Sequence, residues 1–191
     1  MNPNYYRSIL QDDWIGLEQQ VEWFSSKCDS KLEILFGLSL LRAHSQNGFN
    51  SNGYIDGWVS IDANAVCLME PFSASPSSNG VSVAYLTCQE KHEGRVWDFG
   101  LYCGDNNGSA FSECLLSAVI DIDGYSVHRS RRANDLRKSE SSTVSSIRVL
   151  EESYITIQEA AEDVLASTIY AFCKSPESKL IIHRPHNYIE L

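Results

Sequence analysis

Asp121 and Asp123 stand two residues apart at the end of an apolar run, Val119-Ile120-Asp121-Ile122-Asp123, with Gly124 next. Alternate strand residues share a face roughly 6.6–7 Å apart, so both carboxylates should point the same way. Burying such a strand is costly unless the acids meet a cation, donors or water. Asp98 is a third acid in an unfavourable setting. It sits within Val96-Trp97-Asp98-Phe99-Gly100, a strand pattern in which aspartate is disfavoured. Trp97, Phe99 and Leu101 should share one face and Asp98 the other. Glu33 falls one turn into an expected helix. If the strand carrying Asp98 neighbours the strand carrying Asp121, those two acids come near one another, and Glu33 can reach the same point. Carboxylates gathered this way repel one another unless protonated or bridged by a divalent cation. Oxygen-only ligands suit Mg²⁺ or Mn²⁺ rather than zinc. Such an ion lowers the pKa of a bound water and stabilises charge building on a phosphoryl group.

Positive charge follows the acids at once. Arg129, Arg131, Arg132, Arg137 and Lys138 crowd into ten residues, and Arg148 brings the local total to six of the chain's 15 basic side chains. Placed beside a carboxylate cluster, they suit a nucleic-acid backbone phosphate. The whole chain is acidic, with 25 Asp and Glu and a formal charge of -10. That balance argues against non-specific nucleic-acid binding over the entire surface, but not against one basic face.

The elements that must position these residues follow from periodicity. Asp12 or Asp13 is placed to cap a helix carrying Trp14, Leu17, Val21 and Phe24. Ser25 to Ser30 interrupts it. Ser30-Lys31-Leu32-Glu33 is a capping-box pattern opening a second helix over 30–45. Residues 46–64 read as a loop with a short strand around Tyr54 to Ile61. Strands are expected at 65–70, 81–89, 95–103, 115–123 and 143–150, with turns at 71–80 and 91–94. A basic helix is expected over Arg129–Ser142 and an amphipathic one over Ile157–Cys173. The tail, 179–191, is placed to add an edge strand. The 115–123 strand, the basic helix and the 143–150 strand form a βαβ-like crossover, which implies a parallel pair. The expected fold is α/β: one domain over 1–191, with a mixed central sheet flanked by helices on both faces.

Glu33, Asp98, Asp121-Ile122-Asp123-Gly124, His128 and Asp135-Leu136-Arg137 together resemble the restriction-endonuclease-like PD-(D/E)XK superfamily, most closely its very-short-patch-repair-like branch. The resemblance covers roughly residues 30–175, the nuclease-like core, and is strongest over 118–150. It implies that Glu33, Asp98 and Asp121 bind Mg²⁺ (or Mn²⁺). Asp123 stands where most members carry the catalytic lysine, as it does in that branch. His128 is implied as an auxiliary acid/base or phosphate contact. The sequence departs from the pattern at three places. Trp97 precedes Asp98 instead of proline, Arg137 comes one residue early, and no lysine follows Asp121, for which Lys138 is the candidate substitute. The implied function is metal-dependent hydrolysis of nucleic-acid phosphodiesters, DNA favoured over RNA, in genome defence or repair.

Plainer roles compete at each position. Glu33 can be the capping-box partner of Ser30, Asp98 a structural ion pair with Arg95 or Arg148, and Asp121 and Asp123 a strand-closing turn. His128 can be a helix-entry residue and the basic helix a solvated face. His183-Arg184-Pro185-His186 is read as inert. The rival function is a nuclease fold without catalysis that engages a protein partner or nucleic acid, and a homodimer is compatible with either reading. The six cysteines include no C-x-x-C pair and suit free thiols in a reducing compartment. With no signal-like N-terminus and no apolar run of about 18 residues, a cytoplasmic location without membrane contact is expected.

Overall fold

The computed structural model describes residues 2–10, 16–44, 60–62, 65–69, 83–104, 111–123, 132–150 and 180–183. Helix α1 (Pro3–Leu10) was not expected from the pattern of charges and apolar residues. Its opening follows known rules: Asn2 Oδ1 accepts from the Asn4 amide at 3.0 Å, and Pro3 occupies the first helical position. Helix α2 (Leu17–Ser25) starts at Gly16, whose φ of 92° makes it a left-handed entry with no side-chain cap. The expected cap at Asp12 or Asp13 is therefore corrected, since a glycine turn sets this boundary. Helix α3 (Lys31–His44) opens as the capping box predicts, with the Glu33 amide donating to Ser30 Oγ at 3.1 Å. Every residue from Glu33 to Leu41 is buried, so α3 is a central helix rather than a surface one.

The strands are β1 (Ser60–Asp62), β2 (Ala65–Met69), β3 (Val83–His92), β4 (Arg95–Gly104), β5 (Leu115–Asp123), β6 (Ser145–Leu150) and β7 (Leu180–His183). Among the described residues they form one sheet in sequence order. The pairs from β1 to β5 are antiparallel, and β5–β6 and β6–β7 are parallel. The sheet is mixed and the class is α/β. Helix α4 (Arg132–Glu140) lies between β5 and β6 in the chain, so the predicted crossover is present. It is described from Arg132 to Glu140; the expected start at Arg129 falls in residues 124–131, which lie outside the described residues. The helix expected over 157–173 also lies outside the described residues. The tail does contribute an edge strand, β7.

Leu86, Cys88, Phe99, Leu101, Cys103, Ala118, Ile120, Ile122, Ile147 and Val149 pack with the buried residues of α1, α2 and α3 in one core. Phe36 of α3 meets Phe99 with ring centroids 5.6 Å apart. The residues alternating with these on β5 and β6, Asp121 and Arg148, instead meet α4.

One expectation about facing fails. Phe99 and Leu101 do share the core side, but Trp97 lies under Lys138 of α4, whose ammonium is 4.0 Å from the ring centroid. The cause is in the partner strand. Gln89, opposite Asp98 in the β3–β4 ladder, has a φ of 52°. A left-handed residue inverts the alternation. Thr87 Oγ1 accordingly donates to Glu90 Oε2 at 2.5 Å, although residues three apart in a regular strand face opposite ways. Beyond Gln89 and Asp98 the two strands present exchanged faces.

Candidate active site

The opening acids come together unequally. Asp98 is on β4 and Asp121 on β5, neighbouring antiparallel strands, and Glu33 is at the start of α3. Asp98 Oδ2 accepts from the Ile122 amide at 2.6 Å, which ties its side chain to the end of β5. Burial, then the charges of Glu33 and Asp121, push its carboxyl up to about 8, while the Ile122 bond and Lys138 oppose the shift. The two carboxylate contributions to that shift place Glu33 and Asp121 within electrostatic reach of Asp98. Asp98 also keeps part of its surface open.

Glu33 holds two roles at once. Its Oε2 accepts from the Asp29 amide at 3.0 Å, so it caps the helix. The same oxygen accepts from Gln89 Nε2 at 3.4 Å, and the side chain is buried within reach of Asp98's field. Capping therefore does not compete with site membership.

Asp121 is the best-held acid. Lys138 Nζ donates to both its carboxylate oxygens, at 3.0 and 2.7 Å, and to the Val96 carbonyl at 2.9 Å. With the Trp97 face beneath it, the ammonium is fixed on four sides. Arg148, the register partner of Asp121 on β6, stands 3.6 Å from Asp121 Oδ2 and 3.8 Å from Asp135 Oδ2. Burial lowers its pKa, and Asp121 and Asp98 counter that.

The remaining basic residues divide. Arg137 is exposed on α4 and donates through Nε to the Ala133 carbonyl at 3.1 Å. Arg95 Nη1 binds the Lys138 carbonyl at 2.7 Å and Ser141 Oγ at 2.6 Å. So Arg95 closes the C-terminus of α4 rather than serving Asp98. Arg95, Asn134, Asp135, Arg137 and Lys138 line an open cavity of about 390 Å³ on this side. The backbones of Asp123 and Arg132 end β5 and begin α4; their side chains, with His128, Arg129 and Arg131, lie outside what is described.

Sequence reasoning did not find Gln89, and it gave Arg95 only the role of an ion-pair partner of Asp98. A glutamine carries no signal for a positive φ, and an arginine beside a hairpin turn looks like surface.

The donors fit a hard divalent cation in kind. They are carboxylate oxygens, and burial first, then the charges of Glu33 and Asp121, raise the Asp98 carboxyl; a cation would relieve the part that is repulsion. As they stand, no three His, Cys, Asp or Glu side chains among the described residues converge on one ion position. No family model, curated protein or solved structure matches the chain.

Proposed function

We propose that the chain is a Mg²⁺- or Mn²⁺-dependent nuclease of the restriction-endonuclease-like, very-short-patch-repair-like kind. It hydrolyses phosphodiester bonds, DNA before RNA, in genome defence or repair in the cytoplasm. The observation that carries this reading is the lysine on the acid cluster. Lys138 brings an ammonium to Asp121 from α4, in place of the strand lysine replaced by Asp123. A mixed sheet between helices, with a parallel pair at β5 and β6, gives the framework such an enzyme needs.

Asp98 and Asp121, with Glu33 in support, would hold the cation. When bound, that ion supplies an acidified water and charge stabilisation at the phosphoryl group. Lys138 holds Asp121 in one orientation and offers positive charge where phosphoryl charge develops. Asp123 or His128 orients the attacking water. Arg137 and the open cavity beside it, together with Arg129, Arg131 and Arg132, receive the substrate's backbone phosphates.

A second reading has its own support. Lys138 already neutralises Asp121, and the described acids are not gathered round one point. Both suit a nuclease fold that binds nucleic acid or a protein partner without cutting. Calorimetric titration of the folded protein with Mn²⁺ separates the two. Heat release with cleavage of nucleic acid is expected for the nuclease. Absence of heat, with retained nucleic-acid binding, supports the module.

A further inference from the structure

Two non-glycine residues among those described have a positive φ, Gln89 and Glu93, both at 52°. Glu93 is explained by its place. It begins the two-residue Glu93–Gly94 turn between β3 and β4, and Gly94 follows at 73°, the pair of left-handed residues such a hairpin requires. Gln89 has no turn to explain it. It lies inside β3, with ladder pairs on both sides, Cys88 with Phe99 and Glu90 with Trp97. A long side chain in this region is uncommon and persists only where its surroundings over-determine it.

The surroundings are the acid cluster. Gln89 is opposite Asp98, and its amide donates to Glu33 Oε2. The inversion it causes has two effects on the site. It sends Glu90 to the side of Thr87 and Tyr102, whose hydroxyl donates to Glu90 Oε1 at 3.0 Å. It also frees the next pair, so that Trp97 lies beneath Lys138 instead of joining Phe99 in the core. In a regular strand the Lys138 ammonium would lose that aromatic floor.

We infer that Gln89 is a positioning residue of the acid cluster: its left-handed backbone sets which faces Asp98 and Trp97 present, and its amide fixes Glu33 beside Asp98. The inference rests on the nuclease reading for its catalytic consequence, but its structural half stands separately.

Gln89→Gly and Gln89→Ala test it together. Both remove the amide. Glycine accepts the positive φ and alanine resists it, so the glycine variant melts above the alanine variant. In both, exchange of the Asp29 amide, which donates to Glu33, quickens several-fold as Glu33 loses its second tether. In both, Mn²⁺ affinity falls at least tenfold and kcat falls with it, while KM for nucleic acid stays within about twofold. An alanine variant that melts above the glycine variant overturns the backbone half. Unchanged Asp29 exchange overturns the amide half. If the wild type takes up no Mn²⁺, the nuclease reading fails, and melting order and Asp29 exchange still decide the role of Gln89.

Discussion

Lys138 and Asp98 are the residues on which the proposed chemistry turns, and each makes a separate prediction. Lys138 spends its donors on Asp121 and the Val96 carbonyl, and both side chains of the ion pair are largely covered. Lys138→Ala leaves Asp121 with Arg148 as its remaining described cation, 3.6 Å away. The expected cost is about 1–3 kcal/mol, the range for stranding a buried charged acceptor, measured by urea denaturation. Cleavage should fall at least a hundredfold, while Lys138→Arg keeps most of the stability and little of the rate. Asp98 predicts a pH dependence. Its carboxyl is raised to about 8 in the folded chain, against roughly 4 when unfolded. Between those values the folded protein holds a proton that the unfolded chain has released. Stability from this group is therefore greatest below pH 4, falls as pH rises towards 8 and is flat above. The stability of wild type minus that of Asp98→Asn, taken from urea midpoints between pH 4 and 9, should show that slope. A difference that rises with pH would contradict the electrostatics given for the cluster.

At the scale of elements, helix α3 is held to α2 at a position where simple propensity gives the wrong sign. Gly37 is inside α3, and a Cβ there would collide with the ring of Phe24 on α2. Helix propensity favours alanine over glycine by about 1 kcal/mol. The collision should win, with Gly37→Ala costing about 1–3 kcal/mol net by thermal melting, because an overfilled contact must displace an aromatic ring. Much at this scale was legible in the sequence. The capping box at Ser30 and Glu33, the hairpin between β3 and β4, the crossover through α4 and the edge strand in the tail all carry local signals. Three features were not legible, for physical reasons. The start of α2 depends on Gly16 rather than an acidic cap. Helix α1 is only 8 residues long, and its apolar spacing, Tyr6 with Leu10 and Tyr5 with Ile9, spans too few turns to stand out. The inversion at Gln89 depends on a conformation to which glutamine's identity gives no clue. The last matters most for the site. A strict period of two puts Trp97 in the core, and the actual strand puts it beneath the catalytic lysine candidate. The carboxylates themselves were findable because an acid inside an apolar strand is an anomaly wherever the strand lies.

The whole molecule sets the terms on which a polyanion can approach. A net charge of -10 repels nucleic acid at long range. Under the proposed reading, binding comes from the local cations of α4 and its flanks, with Arg137 exposed at the cavity edge. Affinity should fall between 50 and 200 mM salt, with a log–log slope set by how many phosphates these side chains neutralise. Arg137→Ala should reduce the slope of log affinity against log salt by about one contact. No described helix is long and apolar enough to cross a membrane. Four described cysteines, Cys28, Cys88, Cys103 and Cys114, are buried, with the Cys28 and Cys88 sulfurs 3.9 Å apart close to the acids. The Cys88 contact and burial push the Cys28 thiol well above its ordinary range, so Cys28 stays a neutral thiol. The central claim is that Asp98, Asp121, Glu33 and Lys138 form one cation-dependent phosphodiesterase centre. The most direct measurement is single-turnover cleavage of an end-labelled DNA duplex with Mn²⁺, comparing wild type with Asp121→Ala under conditions where both are folded. Wild type should cut and Asp121→Ala should not, with chelator abolishing the wild-type rate. Equal rates in the two proteins, or no cleavage by folded wild type with either Mg²⁺ or Mn²⁺, would contradict the claim.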